Sequence, residues 1–144
     1  MTTSASAIIL QIEAITGSIA TIGSAAVSYK SFDVLETTTT RAAVVIRPTG
    51  VSQAGETFGR YDTAVFNYKL RTFIKNTGDY QTYFTDQITI LDDVLEQFST
   101  YDDLNSACDH SIIGTTTILE SEWNINGQTW QEIDFDLAAI VFNR

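Results

Sequence analysis

Residues 129–142 read TWQEIDFDLAAIVF. Apolar and acidic residues alternate through most of this stretch, the period-2 signature of a strand with one face in a core. Ile133, Phe135 and Leu137 share the apolar side; Glu132, Asp134 and Asp136 share the other. Beyond Leu137, Ala138, Ile140 and Phe142 place apolar groups on the side that had been acidic. That end of the strand needs cover, from the chain's own loops or from a neighbouring subunit. Ile140 and Phe142 are therefore the candidate subunit-interface residues.

The partner strand runs from about Ser111 to Asn124, which makes a long C-terminal hairpin. A two-residue Asn126-Gly127 turn sets Leu119 opposite Asp134 and Glu120 opposite Ile133, and mixes the faces. A three-residue loop, Ile125-Asn126-Gly127 with a left-handed glycine, sets Leu119 opposite Ile133 and Thr117 opposite Phe135. The second register is the expected one. It brings Glu120 opposite Glu132, with Glu122, Asp134 and Asp136 along the same side, and sends Trp123 and Trp130 to different faces. Like charges opposed in a sheet repel, so such a face must be hydrated or matched by cations. Lys69 and Arg71 are the natural partners if their strand is adjacent. With 3 lysines and 5 arginines in the chain, the match is partial and an acidic face remains.

Upstream, Ile8, Ile12, Ile15, Ile19 and Ile22 recur at steps of four and three, one apolar stripe of a helix. The helix is expected over Ser4–Thr16, with Gly17 as its stop. Residues 23–41 read as an extended connection with possible edge pairing. Ala42–Ile46 (AAVVI) reads as a short strand buried on both faces and ended by Pro48. Thr49–Arg60 (TGVSQAGETFGR) reads as the longest surface loop, or as two poor edge strands joined at a flexible tip. Val51, Gln53, Glu56, Phe58 and Arg60 are its candidate contact residues.

Ala64–Lys75 alternates cleanly, with Phe66, Tyr68, Leu70 and Ile74 on one side and Asn67, Lys69 and Arg71 on the other. A turn at Asn76-Thr77-Gly78 leads to Asp79, placed to cap a helix. In that helix Phe84, Ile88, Leu91, Val94, Leu95 and Phe98 form the expected core stripe, with Asp86 and Asp93 facing water. Residues 99–109 are a polar joint with one further turn around Leu104. The order of elements implies a single α+β domain over residues 1–144. Its expected form is an antiparallel or mixed sheet with two main helices on one face.

The chain has 144 residues, 18 acidic and 8 basic, for a net charge of −10 and a pI near 4.2. This balance argues against gripping nucleic-acid phosphates, which takes clustered Lys and Arg. It is compatible with a surface past which DNA slides. One cysteine excludes an internal disulfide. The first basic residue is Lys30, so the basic start of a signal peptide is missing. The apolar run from Ala7 to Val27 is interrupted by Gln11, Glu13 and Gly17, which argues against a spanning helix. The chain reads as soluble.

Three clusters invite a chemical reading. Cys108-Asp109-His110 lacks a second His or Cys to complete a zinc set, and reads as a polar loop. Gly50, Gly55 and Gly59 are followed by neither Gly-Lys-Ser/Thr nor a helix start, so phosphate cradling is not expected. The carboxylates of residues 132–136 on one strand face read as a solvated surface rather than an acid–base pair. No catalytic residue, metal ligand or cofactor is expected.

Taken together, the order of elements resembles the tail terminator (tail-completion) proteins of long-tailed bacteriophages. The residues that carry the resemblance are the helix 4–16, AAVVIRP at 42–48, TGVSQAGETFGR, FNYKLRTFI at 66–74, YFTDQITILDDVLEQF at 83–98 and the closing hairpin. The resemblance implies a structural virion protein, not an enzyme. Its members form a ring, usually hexameric, that ends tail-tube polymerisation at the tail–neck junction and joins the tail to the head connector. Implied partners are further copies of the chain, the tail tube protein and the neck proteins, with DNA passing through without specific binding and no membrane. Residues 23–41 are longer than the family needs. On this reading Glu120, Glu122, Glu132, Asp134 and Asp136 lie in or near the channel, and neutralising residues 132, 134 and 136 leaves assembly intact. The loop at 50–60 contacts tube or connector. A small α+β ligand-binding module or enzyme, with a polar set converging in an apolar cavity, is the rival from another class.

Overall fold

A computed structural model describes residues 5–23, 26–29, 34–37, 41–57, 60–76, 78–125 and 127–142. Helix α1 spans Ala5–Gly17. Its isoleucines at 8, 12 and 15 are buried together with Ile19 and Ile22 just beyond it. The isoleucine stripe thus seats the N-terminal segment on the sheet. The Thr16 hydroxyl donates back to the Ile12 carbonyl at 2.6 Å, so this one polar member of the buried face is satisfied.

The remaining elements are β1 (Val27–Ser28), α2 (Val34–Thr37), β2 (Ala42–Thr57), β3 (Arg60–Lys75), α3 (Tyr80–Thr100), β4 (His110–Ile125) and β5 (Gln128–Phe142). They build one mixed five-stranded sheet in the order β1-β2-β3-β5-β4. Val27 and Ser28 pair parallel with Val44 and Val45, and every other neighbour is antiparallel. The fold is α+β, with α1 and α3 on one face of the sheet and a long C-terminal hairpin. On the helix-covered face Leu70 stands opposite Phe135 and Tyr68 opposite Leu137. The Tyr68 hydroxyl reaches the Ala5 carbonyl of α1 at 3.2 Å. Ala43, Val45 and Phe73 alternate to the opposite face and are buried too.

Three local expectations give way. Ala42–Ile46 is not a short strand closed by Pro48, because β2 continues to Thr57. The register shifts between Pro48 and Gly50, a bulge that leaves Thr49 without a partner. Proline survives there because β1 accompanies β2 only at Val44 and Val45, so the missing N–H faces no second strand. Residues 49–57 are therefore strand, not loop. Val51, Gln53 and Glu56 lie on β2 opposite Phe66, Ala64 and Tyr61, and Arg60 opens β3 opposite Thr57. Phe58 lies outside the described residues. The two-strand reading of this stretch is the one the structure has.

In α3 the Asp79 carboxylate caps the first turn, accepting from the Gln81 and Thr82 N–H groups and from the Thr82 hydroxyl at 2.6 Å. The Thr82 contacts hold this carboxyl below its usual range. The helix is rotated relative to expectation. Tyr83, Asp86, Ile90, Val94 and Phe98 face the core, while Phe84, Ile88 and Leu95 are 53%, 46% and 44% exposed. Asp86 does not face water: it lies under Arg41, 3.4 Å from the guanidinium.

The C-terminal hairpin departs from the expected register. Ile125 pairs with Gln128 around a two-residue turn, and Gly127 is left-handed at φ 77°. Between Ile118↔Ile133 and Glu122↔Gln131, residues 119–121 of β4 face Glu132 alone. This bulge shifts the ladder so that Ile118, not Leu119, opposes Ile133, and Thr116, not Thr117, opposes Phe135. Gly114 makes a second bulge. Trp123 and Trp130 are direct partners on the same face, not on different ones.

Candidate functional site: a buried charge cluster and an exposed helix face

β3 and β5 are neighbours, so Lys69 and Arg71 do meet the β5 carboxylates. Lys69 stands opposite Asp136 and Arg71 opposite Asp134. The tight contact is diagonal. Arg71 Nε and Nη2 donate to Glu132 at 2.7 and 3.0 Å, and the Trp123 indole N–H donates to Glu132 Oε1 at 2.8 Å. The Arg71 guanidinium also lies 5.6 Å from the Phe73 and Trp123 ring centres, and those rings meet edge to face. Glu132 is 1% exposed and Asp134 8%.

This is an ion-pair core on the sheet's second face, not a hydrated acidic wall. Only Asp136 of the three β5 carboxylates is exposed. Glu122 belongs elsewhere: it opposes Gln131, and its carboxylate takes a 3.4 Å bond from the Tyr83 hydroxyl of α3. The Glu120 side chain lies outside the described set. Neutralising residues 132, 134 and 136 together would strip Arg71 of its counter-ion, so that change reaches the core.

The electrostatics divide the pair. Burial alone would push Glu132 up, but the Arg71 bonds, with Asp134 and the Trp123 indole, hold it below the usual carboxylate range. Burial, then the hydrogen bond to and charge of Glu132, push Asp134 up to about 7 against the pull of Lys69 and Arg71. Near neutral pH the two carboxyls together carry between one and two negative charges. Asp134 Oδ1 has no hydrogen-bond partner. Arg47, Pro48, Thr49, Lys69, Leu119 and Trp123 surround a shallow, open depression above this cluster.

Cys108 is buried, and burial with the nearby carboxylates of Asp103, Asp109 and Asp102 raises its thiol to about 11. A thiol so placed stays protonated at neutral pH and is a poor nucleophile. Asp109 caps the end of β5 instead, accepting the Phe142 N–H at 2.7 Å. His110 stands 3.9 Å from Asp102 at the surface. Among the described residues no group of three or more His, Cys, Asp or Glu is placed to hold a metal. Among the described residues no helix is long and apolar enough to cross a membrane.

The candidate interface residues lie at one end of β5. Ile140 is half-buried between Val65 and His110, and Phe142 is 48% exposed. Sequence reasoning missed a larger apolar surface, the outward side of α3, where Phe84, Ile88 and Leu95 stand exposed. The signal was present as a 4-3-4 spacing of Phe84, Ile88, Leu91 and Leu95, the spacing of a helix–helix seam. It was assigned to the domain's own core.

No protein-family model matches the chain, and no curated protein matches it in sequence.

Proposed function

We propose that the chain is a structural ring subunit of the tail-terminator kind, which closes the end of a phage tail tube and offers the head connector a docking surface. The observation that carries this reading is the exposed seam on α3. The domain already has a contiguous core from α1, the sheet and the inner side of α3, against which Leu91 also packs, yet Phe84, Ile88 and Leu95 stand exposed as a second apolar helix face. Such a surface fits a protein–protein contact. The β2–β3 hairpin supports the same reading. Beyond Thr63, the last β3 residue paired to β5, it continues as a two-stranded arm, in a position to reach a neighbouring ring.

In this reading the protein is not an enzyme and needs no cofactor. Its partners are copies of itself, a tube protein and neck proteins, and its place is the tail–neck junction of the virion. Val51, Gln53, Glu56, Phe58 and Arg60 remain the proposed contacts to tube or connector; Glu56 and Arg60 lie on the arm, and Val51 and Gln53 on the β2 stretch that leads to it. The test is to add the purified chain to the tail tube protein encoded beside it. The expected result is tubes of limited length with a ring at one end in negative-stain images. Tubes that elongate unaffected and carry no added ring contradict the reading.

A further inference from the structure

The chain is electrically polarised. Seven of the 8 basic residues lie in residues 1–75, and between Lys75 and Arg144 there is no Lys or Arg at all, against thirteen of the 18 acidic residues. The fold turns this asymmetry into two surfaces. On the helix-covered side, Phe84, Ile88 and Leu95 of α3 are bordered by exposed Asp92 and Glu96. Ile118 of β4, on the same side of the sheet, is also half exposed. On the opposite face of the sheet, the depression lined by Pro48, Leu119 and Trp123 over the Arg71–Glu132–Asp134 cluster is bordered by Arg47 and Lys69, which are cross-strand neighbours, with exposed Asp136 opposite Lys69.

We propose that these two surfaces are the two halves of one contact between copies of this chain: the acid-rimmed α3 seam of one copy seats on the Arg47/Lys69-rimmed depression of the next. The rims carry opposite charge, Asp92 and Glu96 on the seam against Arg47 and Lys69 on the depression, the arrangement that fixes register and excludes wrong pairings. A two-fold contact of α3 on α3 would instead face Asp92 and Glu96 with the same carboxylates. The two halves lie on opposite faces of the sheet, so the contact is head-to-tail. Such contacts close into a ring when the rotation permits. The inference rests on the ring reading and assigns its subunit interface.

The test uses the full chain, mixed in equal parts as 14N- and 15N-labelled protein and treated with a zero-length carbodiimide. Mass spectrometry of mixed-isotope peptides then reports only links between copies. The expected links join Lys69 to Asp92 or Glu96. Beside it, I88E, at an exposed position, raises the concentration needed for assembly by about tenfold or more and leaves thermal unfolding of the monomer unchanged. The reversal E96R weakens assembly, and E96R/R47E restores it. Rings that form with other inter-copy links only, or that tolerate I88E and E96R, overturn this interface while the ring reading stands. Wild-type protein that forms no ring, alone or on tubes, overturns both.

Discussion

The two long hairpins of this fold have nearly equal strands and opposite characters. β2 and β3 are 16 residues each, and β4 and β5 are 16 and 15. The β4–β5 hairpin lies in the sheet body: β5 is flanked on both sides, by β3 and β4, and its acidic residues are largely buried. The β2–β3 hairpin has a root buried on both faces at Ala42–Ile46, but its far end pairs only with itself. One hairpin is a structural wall containing charge; the other is an anchored arm. The difference shows that strand polarity alone does not report exposure. A run of carboxylates was expected in water and is packed around an arginine, while a run with proline and glycines was expected to be a loop and is a strand.

The largest expected break in that comparison is at Arg71. Arg71→Ala leaves Glu132 buried without its cation, with the Trp123 indole and the Asp134 carboxyl beside it. Urea unfolding at pH 7 should show a loss of about 3–5 kcal/mol. A loss below about 1 kcal/mol would mean the β5 carboxylates are hydrated after all. Replacing both partners, Arg71→Met with Glu132→Leu, should recover most of the loss, since the cost lies in leaving one charge unpaired.

Next in size is the contrast between the two sides of α3. Ile90→Ala, at a fully buried position, should cost about 3 kcal/mol by cavity formation. Ile88→Ala, two residues earlier on the exposed side, should change monomer stability by less than about 0.5 kcal/mol. Equal effects would place both residues in the core and remove the seam.

The pH dependence is smaller and has a definite sign. The Asp134 carboxyl titrates near 7 when folded and near 4 when unfolded. Between those values the folded chain holds a proton that the unfolded chain has released, so this group's contribution to stability falls as pH rises from about 4 to 7 and is flat above. Glu132, held low, has the opposite slope, with a contribution lost as pH falls below the ordinary glutamate range. Asp134→Asn should remove the fall between about pH 5 and pH 7 in denaturant titrations; an unchanged slope would assign it to another group.

How much was readable from sequence depended on whether a residue's environment is set by its own element. The N-terminal isoleucine stripe leaves one possible face, and all five residues, three in α1 and two just beyond it, are buried. The Asp79 cap and the Gly78 turn, with Gly78 left-handed at φ 87° and its N–H on Asn76 Oδ1, are equally local. α3 carries two adjacent apolar stripes, 83/90/94/98 and 84/88/91/95, and only the sheet decides which is inward. Asp86 is buried because Arg41, some 45 positions away, comes to lie over it. The hairpin register failed for a related reason: an alternating pattern assumes an unbroken ladder, and the bulge at residues 119–121 has no periodic signature. The pairing of Lys69 and Arg71 with the β5 acids was legible from charge scarcity, but the burial of the pair was not.

The central claim, that the arm and the α3 seam belong to a ring subunit, is tested most directly by native mass spectrometry of the wild-type chain, alone and bound to tube ends. The account predicts one closed species at a small whole multiple of 15.9 kDa, dissociated by I88E. A strictly monomeric chain in both settings would contradict it.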